Sequence, residues 1–153
     1  MHDARVKLLI VDDEVSIRSS LSQIFSTLGY CVRSAADGFS ALSDIRQEIP
    51  DIIISDLNMP GMSGFELLSV VRRRFPAIRV IAMSGAFSGS QIPCGVTADA
   101  FYEKGNGVAV LLNAIDTVPF TNRQYCEAPE PIWIQKHQHD TAAAQSVSIA
   151  SPD

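Results

Sequence analysis

Asp51-Ile52-Ile53-Ile54-Ser55-Asp56-Leu57-Asn58-Met59-Pro60-Gly61 is the stretch that decides the fold. Three consecutive isoleucines suit a strand buried on both faces, the pattern of a parallel sheet covered by helices. Met59-Pro60-Gly61 is a turn signal, so Asp56 falls where the strand runs out. Open α/β sheets gather ligands and chemistry at the carboxyl ends of their strands. An aspartate there also suits the plain opening of a loop, so the rest of the chain must decide.

Upstream, Val6 to Val11 reads as a buried strand ending in Asp12-Asp13-Glu14. Ile17, Leu21, Ile24, Phe25 and Leu28 recur at helical spacing, with Gly29 as the stop. Cys31 to Ala35 is a second strand. Asp37 caps a second helix whose inner face is Leu42, Ile45 and Ile49, closed by Pro50. Downstream, Ser63 and Glu66 have capping-box spacing, and Leu67, Leu68, Val71 and Phe75 form the stripe of a third helix. Ile78 to Met83 makes a fourth strand ending in Ser84-Gly85. Ala100 to Glu103 makes a fifth, ending in Lys104. Asn106 or Gly105 then opens a last helix carrying Val108, Leu111, Leu112 and Ile115.

Strands and helices alternating in this way imply βαβ units with right-handed crossovers. The fold expected is α/β, a flavodoxin-like doubly wound five-stranded parallel sheet of order 2-1-3-4-5 with helices on both faces. All strand C-termini then share one edge, which collects Asp12, Asp13, Asp56, Ser84 and Lys104. Chance convergence of three carboxylates, a hydroxyl and an ammonium is a poor explanation.

The chain has 153 residues, enough for one sizeable core and a short appendage. Its 46% hydrophobic and 19% charged content marks a globular rather than a disordered chain. A net charge of -5 argues against nucleic acid or an anionic membrane as the main partner. Cys31, Cys94 and Cys126 lack metal-type spacing and read as reduced thiols of a cytoplasmic protein. No apolar run approaches membrane-spanning length.

Three close carboxylates repel one another unless a cation intervenes, and Mg²⁺ is the hard ion that suits one or two protein carboxylates. Zinc is disfavoured, since no Cys or His stands at a strand end. With the metal, Asp56 is a nucleophile for a phosphoryl group; Lys104 neutralises the incoming oxygens and Ser84 donates to one of them.

The set Leu9-Ile10-Val11-Asp12-Asp13-Glu14, Ile54 to Gly61, Met83-Ser84-Gly85 and Phe101-Tyr102-Glu103-Lys104 resembles the receiver domain of two-component response regulators. The likeness covers residues 5 to about 118. It implies that Asp56 accepts a phosphoryl group from a sensor histidine kinase or phosphotransfer protein. It also implies that Asp13 and Asp56 bind Mg²⁺ directly, that Asp12 helps through water, and that the Asn58 backbone carbonyl completes the protein ligands. Ser84 and Phe101 become the switch pair. The domains expected are a receiver over 1–118 and an irregular tail over 119–153 with no output domain. The product is a signalling module, monomeric or weakly dimeric, rather than an enzyme; its downstream protein partner stays unknown.

The chain departs from that pattern in three places. Gly105 follows the lysine where receivers place a proline after a cis bond, so a trans bond is expected here, since a cis bond before a non-proline residue costs roughly 2.5–4 kcal/mol. Lys104 is still expected to reach the pocket. Residues 85–99 carry Gly85, Gly89, Pro93 and Gly95, so the helix expected between the fourth and fifth strands is shortened or irregular, and the usual receiver dimer through that face is not expected. Phe101 replaces the common tyrosine, and Tyr102 faces the other way.

Two other functions suit parts of the same pattern. A degenerate receiver would bind partners without phosphorylation. A haloacid-dehalogenase-type phosphatase needs an acid two residues after the nucleophile, where this chain has Asn58. Arg72-Arg73-Arg74 reads as a helix end that complements its dipole and stays solvated. His137 and His139, in a polar tail, are weak metal ligands; Ile132-Trp133-Ile134 is the tail's one apolar knot.

Overall fold

The computed structural model describes residues 5–85 and 97–118. They form strands β1 (Lys7–Val11), β2 (Cys31–Ala35), β3 (Ile52–Asp56), β4 (Arg79–Ser84) and β5 (Ala100–Glu103). The helices are α1 (Val15–Thr27), α2 (Gly38–Gln47), α3 (Gly64–Arg74) and α4 (Val108–Thr117). All strand pairs are parallel and the sheet order is β2-β1-β3-β4-β5, as the alternation of elements requires.

Side chains along a strand alternate between faces, and β1 and β3 use both. Leu9, Val11 and Ile53 point to one side and pack with Ala41 and Ile45 of α2 and Leu67, Leu68 and Val71 of α3. Leu8, Ile10, Ile52 and Ile54 point to the other, with Leu21 and Phe25 of α1 and Leu111 and Ile115 of α4. β3 is buried at every position, which is why its sequence shows no polar alternation.

Local signals set the helix ends. Asp37 accepts a hydrogen bond from Ser40 N at 2.8 Å, and Ser63 accepts from Glu66 N at 3.3 Å. Ile49 corrects its sequence assignment: α2 stops at Gln47, the chain turns extended at Glu48, and Ile49 is 53% exposed. Glu48 instead ties the loop down, through Lys7 at 2.6 Å and Arg33 at 3.7 Å. Phe75 is only half-buried, because it lies past the end of α3 with a non-helical backbone. β4 begins at Arg79 rather than Ile78, whose N–H closes a turn on Phe75 O. The last helix opens after Gly107 rather than Gly105 or Asn106; Asn106 is engaged with the Glu103 carboxylate at 3.1 Å.

The irregular helix expected within 85–99 falls mainly on residues outside the described ones, as do the tail, its Ile132-Trp133-Ile134 knot and His137 and His139. No helix among the described residues is long and apolar enough to cross a membrane.

Candidate functional site

The sheet brings Asp12, Asp56, Ser84 and Lys104 to one edge. Val11 pairs with Ser55 and Asp56 with Met83, so β1, β3 and β4 deliver their last residues side by side. Lys104 follows β5, and its N–H donates to Ser84 O at 3.0 Å. Asp12, Asp13 and Asp56 each offer a carboxylate oxygen, and these lie within 4.8 Å of one another. Asp12 and Asp56 are buried, whereas Asp13 is exposed at the mouth.

Lys104 bridges the two buried acids. Its Nζ stands 2.8 Å from Asp12 Oδ2 and 3.1 Å from Asp56 Oδ2, with Glu14 Oε1 further off at 3.6 Å. The Lys104–Gly105 bond is trans, and Gly105 takes φ +98°, a region that residues with a Cβ avoid. Glycine thus turns the chain back after the lysine without the proline.

The remaining oxygens are held by local backbone. Asp12 Oδ1 accepts from Glu14 N at 2.9 Å, and Asp56 Oδ1 accepts from Asn58 N at 3.1 Å. Arg18 of α1 donates to the Asp12 carbonyl at 2.6 Å and braces the β1–α1 turn. The Asn58 amide donates to Ser84 Oγ at 3.1 Å, a link not read from the sequence because it spans two strands. An amide at position 58 has no proton to give as an acid, as the phosphatase alternative would need.

Burial pushes the Asp56 carboxyl above its ordinary range, and the neighbouring Asp12 adds to this; the Asn58 N–H and Lys104 pull it back only in part. For Lys104, burial acts downward, but Asp12 and Asp56 together outweigh it and the ammonium is raised. Asp56 therefore binds its proton more tightly folded than unfolded. The stability this contributes is complete below the ordinary carboxylate range and is lost as pH rises through the raised value. Asp56→Asn is accordingly expected to raise the melting temperature at pH 7 in chelator by several degrees, roughly 1 kcal/mol. The gap from wild type should close below about pH 4. A variant that melts at or below wild type at pH 7 contradicts this account.

The donor set suits a hard divalent cation. Its three carboxylates are oxygen ligands only, and one oxygen of each lies within 4.8 Å of the others. Asp12, Asp13 and Asp56 are the groups whose chemistry fits such an ion.

Phe101 and Tyr102 leave β5 on opposite faces. Phe101 is half-buried against the α2–α3 side, and Tyr102 is buried on the α1–α4 side. A further residue was missed in the sequence: Gly64 opens α3 directly against the end of β3, where any Cβ would meet the Asp56 carbonyl oxygen at 2.0 Å.

A model of the response regulator receiver domain matches residues 8–115. The chain belongs to this family. Sporulation initiation phosphotransferase F of Bacillus subtilis is 41% identical over 78 residues, 51% of this chain and 63% of that protein. The transcriptional activator protein ExaE of Pseudomonas putida is 32% identical over 126 residues, 80% of this chain and 58% of its own. The chain thus spans less than two thirds of these curated relatives. Among solved structures, the chemotaxis response regulator CheY4 of Vibrio cholerae is 33% identical with a TM-score of 0.69, covering 76% of this chain and 100% of its own. TrrA of Thermotoga maritima, solved with Mg²⁺ and BeF, is 27% identical with a TM-score of 0.68 over 74% of this chain and 99% of its own. TrrA has also been solved in complex with the histidine kinase ThkA.

Proposed function

We propose that this receiver accepts a phosphoryl group on Asp56 from a histidine kinase or phosphotransfer protein, and so switches a protein-binding surface. The observation that carries the reading is the Lys104 ammonium held between Asp12 and Asp56 with Asp13 alongside. That is the charge arrangement phosphoryl transfer needs, since such reactions ask mainly for positioning and neutralisation. The kinase partnership rests on family membership and on the TrrA–ThkA complex.

Asp56 Oδ2, on the Lys104 side, is the attacking oxygen; its bond to phosphorus forms as the donor's bond to phosphorus breaks. Lys104 then exchanges its contact with Asp56 for one with a phosphoryl oxygen, keeping Asp12 as anchor. The Ser84 hydroxyl, already held by Asn58, turns to donate to another oxygen. Phe101, half-buried beside this edge, is the ring that follows Ser84 inward. Asp12, Asp13, Asp56 and the Asn58 carbonyl would hold Mg²⁺, which when bound would supply positive charge to offset the carboxylates and the incoming oxygens.

The test is incubation of the purified chain with acetyl phosphate, with and without Mg²⁺, followed by intact mass. One phosphoryl group per chain is expected with the metal and none in chelator. No mass gain from any donor, phosphohistidine proteins included, rejects the reading and leaves a module that binds without phosphorylation. Mg²⁺ alone should raise the melting temperature, since saturation to about 100 times the dissociation constant stabilises a fold by roughly 2.7 kcal/mol. Asp13→Asn should lose most of that shift; an unchanged shift would remove Asp13 from the ligand set.

A further inference from the structure

The three consecutive arginines at the end of α3 do not act as one solvated block. Arg72 turns to Asp99, at 2.7 Å, and that aspartate also accepts from Val80 N at 2.8 Å, fixing the approach to β5. Arg73 and Arg74 stay exposed and line a cleft between α2 and α3 together with Arg46 of α2. Its floor is Leu42, Val70 and Phe75, all half-buried. Among the described residues, no carboxylate pairs with Arg46, Arg73 or Arg74. In a chain of net charge -5, three cations with no carboxylate partner among the described residues form a local concentration of the minority charge around one apolar cleft.

The helices of this sheet run antiparallel to its strands, so the C-terminal ends of α2 and α3 lie at the edge opposite Asp56. The cleft is therefore separate from the acidic site. Its volume, about 250 Å³, is smaller than that of ordinary small-molecule pockets, roughly 300–1,000 Å³. It has room for one or two side chains, not a cofactor. The carbonyl ends of both helices sharpen the preference for cations here, which explains why arginines are stable there but does not neutralise them.

We propose that this cleft docks an acidic peptide segment of a partner protein, with an apolar side chain on the Leu42–Val70–Phe75 floor and carboxylates on the three arginines. Arginine's planar fork pairs carboxylates bidentately, and an apolar floor rewards an anchor residue. A nucleic acid suits it less: phosphates need cations repeated along a track, and the chain as a whole repels them. A membrane suits it less because the apolar residues line a concavity rather than a protruding face.

The experiment uses the full chain and a fluorescein-labelled synthetic peptide in which glutamates flank a leucine–tryptophan pair, read by anisotropy. Binding is expected at low ionic strength and should weaken at about 0.5 M salt, where exposed charges are screened. Arg46→Glu combined with Arg74→Glu should weaken it roughly tenfold, since each exposed pair is worth a few-fold at most. A variant with all three arginines changed to Gln guards against misfolding of the charge reversal and should show a similar loss. Replacing leucine–tryptophan in the peptide by two serines should also weaken binding. Mass gain from acetyl phosphate should be unaltered in both variants. Binding that charge reversal leaves unchanged overturns the proposal, as does no anisotropy change up to about millimolar protein. Tighter binding of homopolymeric single-stranded DNA or of phosphatidylserine vesicles than of the peptide overturns it in favour of those partners.

Discussion

Asp56→Ala is expected to gain no covalent phosphoryl group from acetyl phosphate and Mg²⁺, under conditions where the wild-type chain should gain one. The expectation follows from what each acid already does. Asp12 is fully buried, with one oxygen on Glu14 N and the other against Lys104. Asp13 is exposed. Asp56 alone sits with Lys104 on one oxygen and, through Asn58, the Ser84 hydroxyl nearby. Replacing Asp12 or Asp13 by Ala should slow the reaction by roughly 10²-fold, the scale of losing one preorganised electrostatic group, and should not abolish it. Mass spectrometry of the intact and proteolysed chains reads the result. Label persisting in Asp56→Ala at the wild-type level would move the acceptor elsewhere.

Gly64→Ala carries the largest structural effect. A methyl group at this position would lie 2.0 Å from the Asp56 carbonyl oxygen, 2.5 Å from Leu57 Cα and 2.8 Å from the Asp56 carbonyl carbon. All three are backbone atoms of the central strand's end, so no side chain can swing aside. The first turn of α3 must retreat, breaking the 3.0 Å hydrogen bond from Gly64 N to Leu57 O. A loss of roughly 3 kcal/mol or more is expected, which lowers the melting temperature by about 10 °C or more. Phosphoryl uptake should fall with it, because the same shift moves Asp56. Gly38→Ala is the milder comparison: the atoms it would meet, at 2.7–2.9 Å, are Met62 Sδ and Cγ, which can swing aside, and Met62 Cβ, which moves only with its backbone. Gly38→Ala should cost less, since no carbonyl or Cα of the central strand stands in its way. Equal melting temperatures for Gly64→Ala and wild type would refute the close-approach argument.

What the sequence revealed follows from the range of the forces involved. Ser63 and Asp37 were legible as caps because a cap is a contact across three residues. β3 was legible because burial on both faces leaves an unbroken apolar run. The acids, serine and lysine were legible because a parallel sheet aligns its strand ends. Ile49 was misplaced because helical spacing carries no mark of where Glu48 would leave the helix for Lys7 and Arg33. Gly64 looked like an ordinary first-turn residue, since its neighbour across the gap is the Asp56 main chain, eight positions earlier. Arg46 and the pair Arg73–Arg74 lie on different helices, so their shared cleft appears only once α2 and α3 pack.

The ladder that joins β1 to β3 has one more consequence. Asp12 and Asp56 ride on neighbouring central strands whose main chains are locked in register, and so their closeness is settled when the sheet forms. A divalent cation bound at this edge should therefore order almost nothing, in contrast to small metalloproteins that collapse only around their ion. Chelation should silence the chemistry while the sheet's circular dichroism stays as it was.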